Sequence, residues 1–142
     1  MTAIEMLKQL KKIETLIKNK RVECLQWRGL AQSVTASVGG ERVQSTSNPQ
    51  KMADAIHRCI ELEQETQREI DRLITKKQKV ISLIELLPEP EYDVLHKTYV
   101  QYMQDKEIAY IRKKSRSWVN TIHDRAIEML DEILKKEQGY DT

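Results

Sequence analysis

A chain of 142 residues with 39% hydrophobic and 32% charged side chains, four Gly, three Pro and no Phe has the balance of long amphipathic helices and is poor for a strand-rich fold. The expected class is all-α, one domain in size or a small module carried on an elongated helical part. The formal net charge of +2 is too small to draw the whole molecule to nucleic acid, so any electrostatic footprint must come from local clustering.

Two further classes are disfavoured by the sequence. No apolar run approaches the roughly 20 residues needed to cross a bilayer, so a soluble protein with no membrane partner is expected. Cys24 and Cys59 are isolated thiols without CxxC spacing or a secretory signal ahead of them. That suits a reducing cytoplasm, with both cysteines acting as small buried apolar residues.

The first element is a long helix. Ala3, Met6, Leu10, Ile13, Ile17, Lys20, Cys24, Trp27, Ala31 and Val34 recur at alternating spacings of three and four, the seam of a helix that needs a partner. Lys20 is its one charged position, and Leu7 and Leu16 widen the stripe toward a bundle face. The stretch Gly39 to Pro49 carries turn formers at both ends and is the connector, with Asn48 a helix cap and Pro49 a first helical residue.

A second helix is expected from about Pro49 to Leu86. Met52, Ile56, Cys59, Thr66, Ile70, Leu73, Val80 and Ile84 continue the same alternation, interrupted by Glu63 and Lys77. Two helices of about 35 residues, each roughly 50 Å long, on a short connector fold back as an antiparallel, coiled-coil-like hairpin, or else pair their seams between chains in a swapped dimer. Either arrangement has little core for its length, which favours self-association. Residues 1–86 are therefore read as an oligomerisation or partner-docking hairpin, and residues 87–142 as a separate module.

Leu87-Pro88-Glu89-Pro90 stops the second helix, because proline removes a donor and disfavours the α conformation before it. A third helix should cover about Glu89 to Tyr102, with Tyr92, Leu95, Tyr99 and Val100 toward the core. A short fourth fits Asp105 to about Arg112, with Ile108, Ala109 and Ile111 inward. Ser115 caps a fifth, whose inward stripe is Val119, Ile122, Ala126, Met129 or Leu130, and Ile133, with Gly139 at its end.

The last two helices have the form of a helix-turn-helix, in which Ala109 and Ala126 are small enough to let steeply crossed axes approach. Arg112, Lys113, Lys114 and Arg116 place four positive charges in five residues at the turn. Alone, such a run is an ordinary solvated surface; at this turn it is a candidate nucleic-acid contact. The second helix of such a unit enters the major groove with its N-terminal residues leading. With Val119 and Ile122 inward, Arg116, Ser117, Asn120, Thr121 and Asp124 fall on the opposite side. Arg can fork onto guanine, Asn can pair doubly with adenine, and Ser or Thr serves either. Arg116, Ser117, Asn120 and Thr121 are thus the expected base contacts, and Lys113, Lys114, His123 and Arg125 the expected phosphate contacts. Trp118 is expected to cover the seam between helices rather than touch a base.

Nothing points to catalysis. His57, His96 and His123 are scattered over three helices, no Gly-rich phosphate loop is present, neither cysteine has a local base, and no His or Cys pair has metal-ligand spacing. No cofactor or small-molecule substrate is expected.

The residues from Leu87 to Leu130, and above all Ser115-Arg116-Ser117-Trp118-Val119 followed by His123 and Arg125-Ala126, resemble the helix-turn-helix of sigma-factor region 4. Over nearly its full length the chain resembles short prophage proteins of Gram-positive bacteria related to the ArpU and RinA type late-gene transcriptional regulators. The likeness takes in MLKQLKKIETLIKNK at the start, GERVQSTSNPQKMADA at the connector, and Gln67-Arg68-Glu69-Ile70-Asp71-Arg72-Leu73. It implies a phage or prophage DNA-binding transcription regulator. One departure bears on geometry. The family pattern has apolar, Gly, apolar ahead of the capping Ser, where this chain has Arg112, Lys113 and Lys114. A lysine forced into the left-handed turn position would cost about 1 kcal/mol.

The leading expectation is a sequence-specific regulator in the bacterial cytoplasm, at the nucleoid, acting on double-stranded DNA as a homodimer whose hairpin dimerises or docks on a partner such as RNA polymerase. A small-terminase-like DNA-packaging protein, which would form a closed ring, and a helix-turn-helix repurposed for protein interaction are the alternatives.

Overall fold

The computed structural model describes residues 1–39 and 49–140. The chain is all-α: α1 spans Ala3–Gly39, α2 Pro49–Ile84, α3 Glu89–Tyr99, α4 Asp105–Arg112 and α5 Arg116–Tyr140, with no strand among the described residues. Pro49 opens α2 as its position suggests, whereas the rest of the expected connector and the Asn48 cap lie outside the described residues. Two compact units result, Met1–Glu14 together with the chain from Thr75 onward, and Thr15–Ile74. The compact units therefore divide inside both long helices and not at the expected 86/87 break. The physical reason is that the first turns of α1 and the last turns of α2 share the apolar core of α3 and α5.

In that first unit, Ala3, Met6, Leu7 and Leu10 of α1 cluster with Val80, Leu83, Ile84, Leu87, Leu95, Ala126 and Leu130. The start of α1 is fixed twice. Thr2 and Glu5 satisfy each other's backbone N–H groups, a capping box, and the Ala3 N–H donates to the Asp131 carboxylate of α5 at 2.7 Å. Helix α2 ends at Ile84, two residues short of expectation, because the Leu86 and Leu87 N–H groups bond back to Leu83 and Ile84 in tighter turns before Pro88. Helix α3 starts at Glu89 as expected, with Pro90 its second residue.

Helix α3 stops at Tyr99 and not at Tyr102. The Val100 and Gln101 N–H groups both close on the His96 carbonyl, Met103 N–H closes on Lys97, and Tyr102 takes φ 58°. That left-handed conformation turns the chain toward α4 without a glycine. A second apolar cluster follows, of Val94, Ile108, Ala109, Val119 and Ile122, with Met103 and Trp118 partly buried beside it. Ile111 is 53% exposed rather than inward. At 100° per residue the inward place one turn after Ile108 falls to Arg112, whose head pairs with Glu89 and Asp93. Helix α5 runs one residue past Gly139.

In the second unit the core is thin: Ile17, Cys24, Thr66 and Ile70 are buried, and Cys59 is half-buried. The charged seam residues find partners across the two helices. Lys20 meets Glu69, and Arg28 forks onto Glu63 at 2.6 and 3.0 Å, so these segments of α1 and α2 run in opposite directions. In the first unit Lys77 likewise meets Glu14. The Lys20 hydrogen bond holds the Glu69 carboxyl below its ordinary range, and the same bond raises Lys20. Burial pushes the Cys24 thiol up. Among the described residues no helix is long and apolar enough to cross a membrane.

Candidate nucleic-acid interface

Three residues, Lys113-Lys114-Ser115, join α4 to α5, and each has a defined task. Lys113 sits in the left-handed region at φ 56°, ψ 44°, and its N–H closes on the end of α4. The Lys114 N–H reaches the Ala109 carbonyl at 2.9 Å, the longer-range bond of a Schellman-like closure. The chain thus keeps the sharp turn that a glycine would normally make and meets the cost, about 1 kcal/mol, with a lysine. Ser115 then caps α5: its Oγ accepts the Trp118 N–H at 3.0 Å and its carbonyl accepts the Val119 N–H at 3.2 Å. With Val119 and Ile122 buried against Ile108 and Ala109, the axis and rotation of α5 are fixed from its first turn.

That rotation sets the outward face. Arg116, Ser117, Asn120, Thr121 and Asp124 are all exposed and lie together on the first turns of α5. The Thr121 hydroxyl donates to the Ser117 carbonyl at 2.9 Å, which leaves its oxygen as an acceptor. The side chains of Arg116 and Asn120 project from a capped, immobilised segment, which reduces the entropy lost when they order on a ligand.

The four residues expected at phosphates fall into two groups. Lys113 and Lys114 are exposed at the turn, and the Lys114 ammonium lies 5.6 Å from the centre of the Trp118 ring. Arg112 is also 5.6 Å from that centre. Trp118 therefore packs against the α4–α5 core and carries two cations beside it. Arg112 is held from behind by Glu89, and that hydrogen bond keeps the Glu89 carboxyl below its ordinary range.

His123 and Arg125 are placed differently. In the tautomer protonated at Nδ1, His123 accepts the Tyr99 hydroxyl at Nε2, 2.7 Å away, and points its N–H at Asp124 at 3.3 Å, so both ring nitrogens are engaged within the protein. Burial raises the Tyr99 hydroxyl, helped by Asp105 and Asp124. Arg125 stands 3.6 Å from Glu91, a carboxylate only 4% exposed. One Glu91 oxygen has no hydrogen-bond partner, so the nearby charge of Arg125 and the N-terminal turn of α3 both favour this buried carboxylate. Sequence spacing put both residues near the outward face of α5 but did not show these inward partners.

Among the described residues no group of three or more His, Cys, Asp or Glu side chains is arranged to hold a metal ion. No family model, curated protein or solved structure matches the chain.

Proposed function

We propose that this chain is a phage- or prophage-encoded, sequence-specific DNA-binding transcription regulator of the late-gene type, in which α4 and α5 form a helix-turn-helix resembling sigma-factor region 4. The observation that carries the reading is the α5 face. Arg116, Ser117, Asn120 and Thr121 stand exposed on the first turns of a capped helix whose other side is buried against α4. Such a helix presents hydrogen-bonding side chains to base edges in a major groove. Lys113 and Lys114 supply the phosphate contacts at the turn, while His123 and Arg125 position the helix through Tyr99 and Glu91. The long helices fold as a hairpin within one chain, and the protein acts as a homodimer in the host cytoplasm, with RNA polymerase as a further partner.

The experiment is selection of bound duplexes from a random library at about 0.15 M salt, where weak sequence-independent binding is suppressed. Recovery of one short site with dyad symmetry supports the reading, and Arg116→Ala should then cost about 1 to 3 kcal/mol and relax specificity at one position. Enrichment of no sequence would overturn it.

A second reading, in which the helix pair binds protein and not DNA, is favoured by one observation. Exposed Asp124 sits on the α5 face, and two of the expected phosphate contacts are already matched to acidic partners. Under it, Arg116→Ala leaves DNA affinity unchanged.

A further inference from the structure

We propose that two copies of this chain pair across the outward face of α4, each inserting Tyr110 beside the other's, with Lys106 of one copy against Glu107 of the other. The inference deepens the dimeric reading above and rests on it, but it does not depend on DNA binding. Tyr110 is 86% exposed and its neighbour Ile111 53% exposed, although Ile108 and Ala109 on the other side of the same helix are buried. An aromatic and a branched aliphatic side by side in water are the anchors that an interface centre uses.

The shape and charges of the patch indicate what covers it. Met103, Lys106, Glu107, Tyr110 and Ile111 line an open groove of about 450 Å³. Each copy therefore presents Tyr110 on a shallow, largely apolar surface that can meet the same surface of a second copy, as an isologous contact requires. At 100° per residue Lys106 and Glu107 flank Tyr110 on opposite edges of the helix, one turn back. A two-fold axis running alongside α4 exchanges those edges, so it brings Lys106 to the partner's Glu107 twice and leaves no like charges facing. The exposed stripe of α1 lacks this property. Val22 and Leu25 are exposed there, but the flanking Lys18 and Arg21 are both basic, so a second copy laid on that pair would meet repulsion.

Sedimentation equilibrium of the full chain over a concentration series, without DNA, tests the proposal. The wild type is expected to show a monomer–dimer equilibrium. Tyr110→Ser should raise the dimer dissociation constant at least about tenfold. Lys106→Glu should weaken the dimer, and the double exchange Lys106→Glu with Glu107→Lys should restore it. All three positions are exposed, and circular dichroism checks that each variant keeps its helix content. A wild type that stays monomeric throughout overturns the dimeric reading itself. A dimer that tolerates Tyr110→Ser but is weakened by Leu25→Ser overturns only the α4 surface and moves the contact to the long helices.

Discussion

The two compact units use different physics on the same pair of helices. Around α3, α4 and α5, two apolar clusters bury large side chains completely, with Leu7, Leu10, Leu95 and Leu130 at 1% exposure or less. Between Thr15 and Ile74 a few buried residues alternate with ion pairs, Lys20–Glu69 and Arg28–Glu63, and Leu25 and Val22 face water. Apolar burial contributes about 25 cal/mol per Å², while exposed ion pairs contribute little. The unit that bears the candidate reading face is therefore the better packed, and local opening of the helix segments 15–39 and 49–74 should cost less than opening α3, α4 or α5.

Core truncation tests that contrast most strongly. Leu95→Ala should cost about 3 to 4 kcal/mol, because a fully buried leucine leaves a cavity that its neighbours cannot fill. Ile70→Ala, among thinner packing that can collapse onto the gap, should cost about 2 kcal/mol, at the low end of the same range. Denaturant unfolding of both variants measures the difference. Equal costs would break the distinction between the units.

What the sequence revealed follows the same division of physics. The three-four stripes of α1, α2 and α5, the Pro88 stop and the Ser115 cap are local patterns, and each is met by burial or by a cap bond in the structure. The capping box at Thr2-Ala3-Ile4-Glu5 was equally readable, since Thr followed three residues later by Glu is its signature. The bounds of α4, Asp105–Arg112, were readable too, but the end of α3 was not. Tyr102 and Lys113 take left-handed conformations that glycine normally marks, so the early stop of α3 had no sequence signal. Ile111 looked inward because it is apolar, yet the inward place went to Arg112, which satisfies its charge on Glu89 and Asp93. The engagement of His123 by Tyr99 and of Arg125 by Glu91 depends on helices that meet only in three dimensions.

Two substitutions at the turn sharpen the account of how α5 is fixed. Ser115→Ala removes the bond to the Trp118 N–H and should destabilise by about 1 kcal/mol. It should also loosen Arg116 and Asn120, which backbone relaxation or amide exchange at Ser117 and Trp118 would detect. Lys113→Gly should act in the opposite direction and stabilise by up to about 1 kcal/mol, since glycine enters the left-handed region without the Cβ clash. A stability loss in Lys113→Gly would mean that the lysine side chain contributes something its conformation alone does not suggest.

The smallest effect lies in the ion-paired unit and has a definite sign. Glu69 is held below its ordinary value of 4.5 chiefly by its hydrogen bond to Lys20, so the stabilisation it gives is present above pH 4.5 and is lost as the pH falls through the lowered value. Lys20, raised above 10.5 mainly by the same bond, contributes below that pH and loses its part as the pH rises through the raised value. Lys20→Met should move the Glu69 carboxyl midpoint up toward its ordinary value in an NMR titration. The Glu89 midpoint, lowered by Arg112 in the other unit, should not move. If both midpoints shifted together, the two carboxylates would be reporting a change common to the whole chain. The ion-paired segment could then no longer be treated as energetically separate from the apolar module.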